Sequence, residues 1–187
     1  AYVSWSVASV STNESTNAIT LTVNRTGTTF NDVSVAFATT NVTATAGADY
    51  YATNGTLTLT NGQASASIAL RLINDDLQEA TETLQVRLSS VSDGIITNGT
   101  NTITLTDDDT STLAFATNAI TTGESNVTLT VIVERSGATN TTVAVNYAST
   151  NGTATAASDY TATSGTLSFV PGVVSNSVTV DVLHDLS

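Results

Sequence analysis

The sequence predicts an all-β protein built from two tandem antiparallel sandwiches. Three observations support this fold class: the composition, an internal duplication and a period-two pattern of apolar residues. Thr, Ser, Asn and Val are abundant among the 187 residues, and little Leu-rich helical periodicity is present, which favours strands over helices. The apolar content of 40% is sufficient for a folded core and excludes general disorder.

The internal duplication divides the chain into two repeats. Residues 38 to 62 align without a gap with residues 148 to 172, an offset of 110 residues with fifteen identities in twenty-five positions. The same offset pairs charged residues: Glu14 with Glu124, Arg25 with Arg135, Asp49 with Asp159 and Asp75 with Asp185. Because about 110 residues is a normal length for a sandwich domain, the predicted domains are residues 1–109 and 110–187.

Seven strands are predicted in the first repeat, because apolar and polar residues alternate along seven segments. Ile19, Leu21 and Val23, for example, lie on one face at period two. Turn signals such as Asn61-Gly62 separate the segments. The predicted strands are YVSWSVA, AITLTVNR, VSVAFAT, GTLTLT, SASIALRLI, ETLQVRLSSV and NTITLT.

The second repeat reproduces only the first five of these strands before Ser187. A sandwich without its last two strands leaves core residues such as Val145, Tyr147, Val180 and Val182 partly uncovered and strand edges unpaired. Two explanations stay open. Either the parent chain continues past Ser187, or a strand from another subunit fills the gap and thereby polymerises the protein into a fibre.

The charge balance points to cations as partners. Sixteen acidic residues against four Arg and no Lys give a net charge of −12, which repels nucleic-acid phosphates and anionic membranes. No apolar run approaches the roughly 18 residues that a membrane-spanning helix needs. We therefore expect no nucleic-acid binding and no membrane insertion, and the lack of Cys excludes thiol chemistry.

Catalysis is not expected, because the usual catalytic groups are missing. His184 is the single His, so Ser-His-Asp, Cys-His and zinc-site chemistry lack their parts. Paired carboxylates can hydrolyse glycosides, but that reaction needs a substrate cleft lined by aromatic residues. The single Trp, Trp5, lies on the first predicted strand, where a core position is expected.

The acidic residues of the first repeat concentrate in loops that a sandwich brings to one end. Loops at the same end are spatial neighbours, and counting strands places four acidic loops together. They contain Glu14, Asp49, Asp75, Asp76, Glu79, Asp107, Asp108 and Asp109. Each run alone is typical of a solvated linker, but agreement among four loops indicates a common function.

Calcium best explains such a gathering of carboxylates. Ca²⁺ takes six to eight oxygen ligands and can share carboxylates between adjacent ions, whereas Mg²⁺ prefers a strict octahedron and keeps several waters. Glu82 opens a predicted strand, and we therefore assign it a structural or supporting role instead of direct ligation.

These motifs, in this order and at domain spacing, resemble the Calx-β domain of sodium/calcium exchangers and large bacterial surface proteins. The resemblance rests on GTATAASDYTATSGTLSFVPG, its counterpart ATAGADYYATNGTL, the segment INDDLQEATETLQVRL and the closing DDD. It covers residues 1–109 and the first five strands of the second copy. It implies immunoglobulin-like sandwiches whose calcium-binding members hold a cluster of ions at one end.

The resemblance also implies a ligand set in the first repeat. Asn74 departs from it, since the calcium-binding type has Asp there, and fewer ions or weaker affinity are then expected. Asp76 matches a further acid, and Leu77 matches a main-chain carbonyl ligand. The remaining positions that match metal ligands are Glu14, Asp49, Asp75, Glu79, Asp107, Asp108 and Asp109.

The second repeat keeps part of this set. Glu124, Asp159 and Asp185 are retained, whereas His184 and Leu186 stand at the positions of Asn74 and Asp76. A metal site built from the second repeat of this chain alone is therefore expected to be incomplete.

The function expected from these features is a calcium-stiffened stalk segment of an extracellular or cell-surface adhesin or fibre. Its partners would be neighbouring repeats of the same or an identical chain. Neutralisation of the acidic triplet by calcium should stiffen the linker at residues 108–112. Two alternatives remain: a calcium sensor that acts on a partner domain, and an adhesive or lectin-like module with a cell-surface or glycan ligand.

Overall fold

The computed structural model describes residues 1–184, and in these residues it is all-β apart from one short 3-10 turn at Glu14–Thr16. The strands are β1 (Tyr2–Trp5), β2 (Ser9–Asn13), β3 (Ala18–Thr26), β4 (Val33–Asn41), β5 (Asn54–Leu59), β6 (Ser65–Arg71), β7 (Glu82–Val91), β8 (Ile95–Asn98), β9 (Thr100–Thr106), β10 (Ser111–Phe115), β11 (Thr128–Gly137), β12 (Val143–Ala148), β13 (Ser164–Phe169) and β14 (Ser175–Asp181). The predicted fold class, two tandem immunoglobulin-like sandwiches, is confirmed.

The chain divides into two compact units. The first comprises Ala1–Asp75 and Glu79–Asp108, and the second comprises Asp76–Gln78 and the chain from Asp109 onward. The short segment Asp76–Gln78 thus interrupts the first unit in sequence.

The first unit is a sandwich of two sheets with the strand orders β6-β3-β1-β8 and β2-β9-β7-β4-β5. Alternation decides which side chains fill the space between them: along β7, Leu84 and Val86 are fully buried, while Gln85 and Arg87 point away from the core. Trp5 is buried as predicted, and its indole N–H donates to the carbonyl of Gly99 at 3.3 Å.

The first predicted strand, YVSWSVA, is wrong as a single element. The chain forms β1, leaves that sheet after Trp5 and joins the other sheet as β2, where it pairs in parallel with β9. Hydrogen bonds fix the crossing, because the Asn101 side-chain amide donates to the carbonyl of Val7 at 2.8 Å. The sheets are therefore mostly antiparallel, with two parallel pairs, β1 with β8 and β2 with β9.

The short strand β8 is a second difference from the predicted pattern. It follows Gly94, whose φ of 139° is accessible mainly to glycine. The tetrapeptide Ile95–Asn98 adds an edge to the sheet that contains β1.

The second unit has five strands in its described part, as predicted. They form one sheet in the order β10-β11-β14 and a second sheet of β12 and β13. Its buried apolar cluster is small and comprises Val133, Leu167, Phe169 and Val178.

Candidate metal centre

The 3-10 turn positions Glu14 at the end of β2. Asn13 caps the turn by accepting a hydrogen bond from the Ser15 N–H at 2.9 Å, and Asn17 ends it with a φ of 63°. The Asn17 carbonyl then accepts the Leu72 N–H at 2.8 Å. These bonds hold Glu14 beside the loop that follows β6, and its side chain is only 6% exposed.

The loop between β4 and β5 positions Asp49. One Asp49 carboxylate oxygen accepts the Thr45 N–H at 2.6 Å, and the Asp49 carbonyl accepts the Ile73 N–H at 2.9 Å. The following residue, Tyr50, is buried in the core. The loop therefore orients the Asp49 carboxylate, which is 8% exposed, through its own backbone.

Asp107 and Glu79 are joined directly. Asp107 follows the last residue of β9, and its Oδ2 accepts the Glu79 N–H at 3.0 Å. This bond holds the segment that leads into β7 against the end of β9.

These elements bring five carboxylates together in a small cleft of about 10 Å³, close to the volume that one water molecule needs. The cleft is lined by Glu14, Asp49, Glu79, Glu82 and Asp107, with Ala80, Leu105 and Thr106. Asp75 adjoins this group, because one of its carboxylate oxygens lies within 4.8 Å of one from Glu14. We call these six acidic residues the acidic cluster.

Two carboxyl groups of the acidic cluster, those of Glu79 and Glu82, hold protons more tightly than ordinary carboxyl groups do. Burial raises the pKa of Glu79, and the negative charges of Asp49, Asp75 and Asp107 raise it further. Burial also raises the pKa of Glu82, with added contributions from the charge of Asp49, a hydrogen bond to Asp49 and the charge of Glu79. The Oε2 atom of Glu82 is buried without a hydrogen-bond partner. Such crowding favours either protons or a bound cation.

Glu82, to which the sequence assigns a structural or supporting role, lines the same cleft. It pairs with Leu105 in the β7–β9 register, so it lies on the same face as Leu84 two residues later. The alternation that buries Leu84 and Val86 therefore also directs Glu82 inward. The even spacing of Glu82, Leu84 and Val86 is therefore the sequence signal that places Glu82 on the inward face of β7.

Of the remaining predicted ligands of the first repeat, one lies in the first unit and three lie in the second unit. Asp76 and Leu77 belong to the short segment of the second unit and are exposed. Asp108 is exposed at the end of the first unit, and Asp109 begins the second unit. Asn74 is exposed, and its side-chain amide donates to the carbonyl of Asp75 at 3.3 Å.

In its described part, the second unit repeats the Asp49 loop but not the acidic cluster. Asp159 Oδ2 accepts the Thr155 N–H at 2.6 Å, and the Asp159 carbonyl accepts the Leu183 N–H at 2.9 Å. Glu124 is exposed and, with Asp159, lines a wider cavity of about 510 Å³. Asp185 lies outside the described residues, so the described part of this unit brings together two of its three predicted ligands.

The described residues contain no helix of sufficient length and apolar character to cross a membrane.

Known proteins and solved structures resemble both repeats of the chain. The model of the Calx-beta domain matches residues 2–109 and again residues 106–186. The adhesion G-protein coupled receptor V1 of Danio rerio is 31% identical over 173 residues, which cover 88% of this chain and only 3% of the receptor.

Two solved structures share the fold. CBD12 from CALX1.2 is 26% identical with a TM-score of 0.57, and the match covers 100% of this chain and 77% of that one. The apo-form Calx CBD1 domain is 25% identical with a TM-score of 0.56, and the match covers 58% of this chain and 97% of that one. The resemblance seen in the sequence is thus confirmed, and the chain belongs to the Calx-beta domain family.

Proposed function

We propose that this chain is a non-catalytic calcium-binding structural repeat, a stalk segment of an extracellular adhesin or fibre. The acidic cluster carries the proposal, because five carboxylates from four segments of the chain line one cleft and a sixth adjoins it. Six hard oxygen donors suit Ca²⁺ better than Mg²⁺, which retains its waters. Burial and, after it, repulsion from neighbouring carboxylates raise the pKa of Glu79 and Glu82, and a bound divalent cation would offset that repulsion.

The donor set supports calcium on three physical grounds. Glu14 and Asp49 are buried, so binding there would be screened little by salt. The Asp49 carboxylate is already oriented by the Thr45 N–H, which lowers the ordering cost of binding. The cluster provides enough carboxylates to share between ions, and we propose that the first repeat binds two or more. Asp76, Leu77, Asp108 and Asp109 remain predicted ligands from the family pattern.

The proposed stalk role and cell-surface location are supported by the repeated domain and by a related protein, and not by the acidic cluster. The sequence carries two repeats of one domain, which suits a linear array. A related sequence forms a small part of an adhesion receptor. We propose that the neighbours of these repeats are further repeats of the same or an identical chain. A cell-surface or glycan ligand belongs only to the adhesive alternative.

Calcium titration by calorimetry, combined with thermal unfolding of the same sample, tests the calcium proposal. We expect saturable binding to the 187-residue chain and a higher melting temperature in millimolar calcium than in chelator, because a ligand that binds only the folded state stabilises it. Magnesium at the same concentration should have a smaller effect. Identical melting curves in calcium and chelator would refute the proposal.

Solution scattering separates the stalk from the calcium sensor. A sensor should change its shape markedly when calcium binds, whereas a stalk should become stiffer without a new arrangement. For a stalk, we expect calcium to narrow the distribution of the radius of gyration and to leave its mean value unchanged. A large shift of that mean would favour the sensor instead.

A further inference from the structure

The side chain of Asn41, the last residue of β4, connects two points of the loop between β4 and β5. Its Oδ1 atom accepts one hydrogen bond from the Ala46 N–H at 3.1 Å and another from the Tyr50 hydroxyl. A side-chain amide oxygen has two lone pairs, so these two donors occupy its full capacity as an acceptor. Asn41 therefore fastens the loop to the end of β4 at two places.

The two donors lie next to the two residues whose hydrogen bond orients the Asp49 carboxylate. Ala46 follows Thr45, which donates its N–H to Asp49, and Tyr50 follows Asp49 itself. Asn41 thus fixes the chain directly after each partner of the bond between Thr45 and Asp49. Its own side chain is not among the groups that line the cleft.

The second unit contains the same arrangement at the 110-residue offset. Asn151 Oδ1 accepts the Ala156 N–H at 2.9 Å and the Tyr160 hydroxyl at 2.7 Å. The Thr155 N–H again orients the aspartate, Asp159. Since the described part of this unit does not repeat the acidic cluster, the arrangement does not depend on crowded carboxylates.

Contacts with a neighbouring strand do not explain the shared loop conformation. In the first unit β7 also holds the loop, because the Thr83 carbonyl accepts the Thr43 and Ala44 N–H groups, both at 2.9 Å. The described part of the second unit has no counterpart of β7. The loop there nevertheless keeps the two hydrogen bonds of Asn151 and the oriented carboxylate of Asp159.

Glycine does not explain the loop conformation either. Gly47 has a φ of 92°, and Ala157, at the equivalent position of the second unit, has a φ of 73°. This left-handed region is unfavourable for a residue with a Cβ and persists only where surrounding contacts impose it. The hydrogen bonds of Asn151 to the residues on either side of Ala157 are contacts of this kind.

We infer that Asn41 is a positioning residue for calcium: its two hydrogen bonds hold the loop in the conformation that aims the Asp49 carboxylate into the cleft. Asn41 itself does not bind the ion. The inference rests on the proposed function, because it assigns a role within the same site. A carboxylate that is oriented before the ion arrives loses less conformational entropy on binding, so the arrangement increases calcium affinity.

Calorimetric calcium titration of three variants of the 187-residue chain tests this role. Asn41→Ala removes the acceptor and should weaken calcium binding at least about tenfold, because the ion must then order the loop. Asn41→Asp keeps an acceptor oxygen and should bind within about threefold of the wild type. Asn151→Ala removes the equivalent bonds from the second unit only and should change the affinity by less than about twofold. Wild-type affinity in N41A, or equal losses in N41A and either of the other variants, would overturn the inference.

A second pair of variants covers the case in which N41A does not fold. Tyr50→Phe removes the hydroxyl donor but keeps the ring, which is 1% exposed in the core. It should weaken calcium binding at least about threefold, whereas Tyr160→Phe, its equivalent in the second unit, should leave the affinity unchanged. Equal affinities of Y50F and the wild type would contradict the inference.

Hydrogen exchange in chelator measures the order of the loop without calcium. The Thr45 amide should exchange at least about tenfold faster in N41A than in the wild type, while the Val86 amide in β7 keeps its rate. Wild-type exchange of Thr45 in N41A overturns the inference even if calcium binds normally to the wild type. If Thr45 exchanges faster in N41A but the wild type binds no calcium, the proposed function fails and the calcium role of Asn41 fails with it.

Discussion

Replacing Asp49 with Asn should change the stability of the first unit in opposite directions with and without calcium. The amide oxygen of Asn can still accept the Thr45 N–H that Asp49 accepts at 2.6 Å, so the loop keeps its geometry. The charge, however, is lost from a residue that raises the pKa of both Glu79 and Glu82. In chelator, this loss relieves repulsion. In calcium, it removes a ligand.

The magnitudes follow from the neighbours of Asp49. Two like charges about 4 Å apart repel by roughly 1 kcal/mol in water and more near a protein surface, so the chelated variant should be at least as stable as the wild type. Calcium at about 100 times its dissociation constant stabilises the wild type by about 2.7 kcal/mol. For a unit of this size, that corresponds to a rise of roughly 10–20 °C in melting temperature. The variant should lose most of this rise.

Melting curves of the wild type and D49N in chelator and in millimolar calcium provide the assay. Asp32→Asn is the matched control, because Asp32 is also an acid that accepts a loop N–H, from Asn61 at 2.9 Å, but it is exposed and does not line the cleft. D32N should keep the full calcium shift. A D49N variant with the wild-type calcium shift, or one destabilised equally in both conditions, would refute the metal interpretation of Asp49.

Three further predictions concern charge and backbone conformation. Glu82→Gln should raise the melting temperature in chelator and weaken calcium binding. If calorimetry gives the same calcium affinity for the variant and the wild type, Glu82 has only a structural role. Since the folded-state pKa of Glu79 and Glu82 lies above the ordinary 4.5, the folded protein binds more protons than the unfolded chain between that value and the raised pKa. Stability in chelator should therefore fall as pH rises through this window, and a flat or rising pH profile would contradict the pKa directions. Gly94→Ala should cost roughly 1–3 kcal/mol, because an added Cβ lies 2.3 Å from the carbonyl oxygen of Ala1 at a φ of 139°. Gly62→Ala, at a φ of 82° with nothing within 4 Å, should cost only about 1 kcal/mol, and equal melting temperatures for the two variants would contradict the clash.

Alternation predicted the fold well wherever one sheet face is buried along a whole strand. Alternation did not predict the N-terminal strands correctly, because the segment YVSWSVASV continues to alternate although the chain passes from one sheet to the other within it. The break after Trp5 depends on distant partners, since Ser6 donates to the carbonyl of Thr22 and Thr102 donates to the carbonyl of Ala8. The pattern of residues within a short segment cannot predict hydrogen bonds to residues that are distant in the sequence.

The sequence predicts which loops meet at the acidic cluster, but it does not predict which residues at the edge of the cluster face inward. Strand counting placed Glu14, Asp49 and Asp107 at one end of the sandwich, and in the first unit these three residues line one cleft. The loop between β6 and β7 was harder, because loop residues follow no period that says which side chains point inward. Glu79 lines the cleft, whereas Asp76, three residues earlier, is exposed.

The parallel pairing of β2 with β9 has a mechanical consequence for a stalk. Ser9–Asn13 pairs residue by residue with the last five residues of β9, from Thr102 to Thr106. Tension applied between the start of β2 and the end of β9 pulls these two strands in opposite directions along their length. All of the hydrogen bonds between them are then loaded at once in shear, instead of opening one after another as in a peeled hairpin.

The first unit should accordingly resist stretching between its ends with a single high rupture force in single-molecule pulling. Stepwise opening at low force would contradict this geometry. In an array of such units, extension under load would then proceed by the abrupt failure of one sandwich at a time, while the remaining units kept their length.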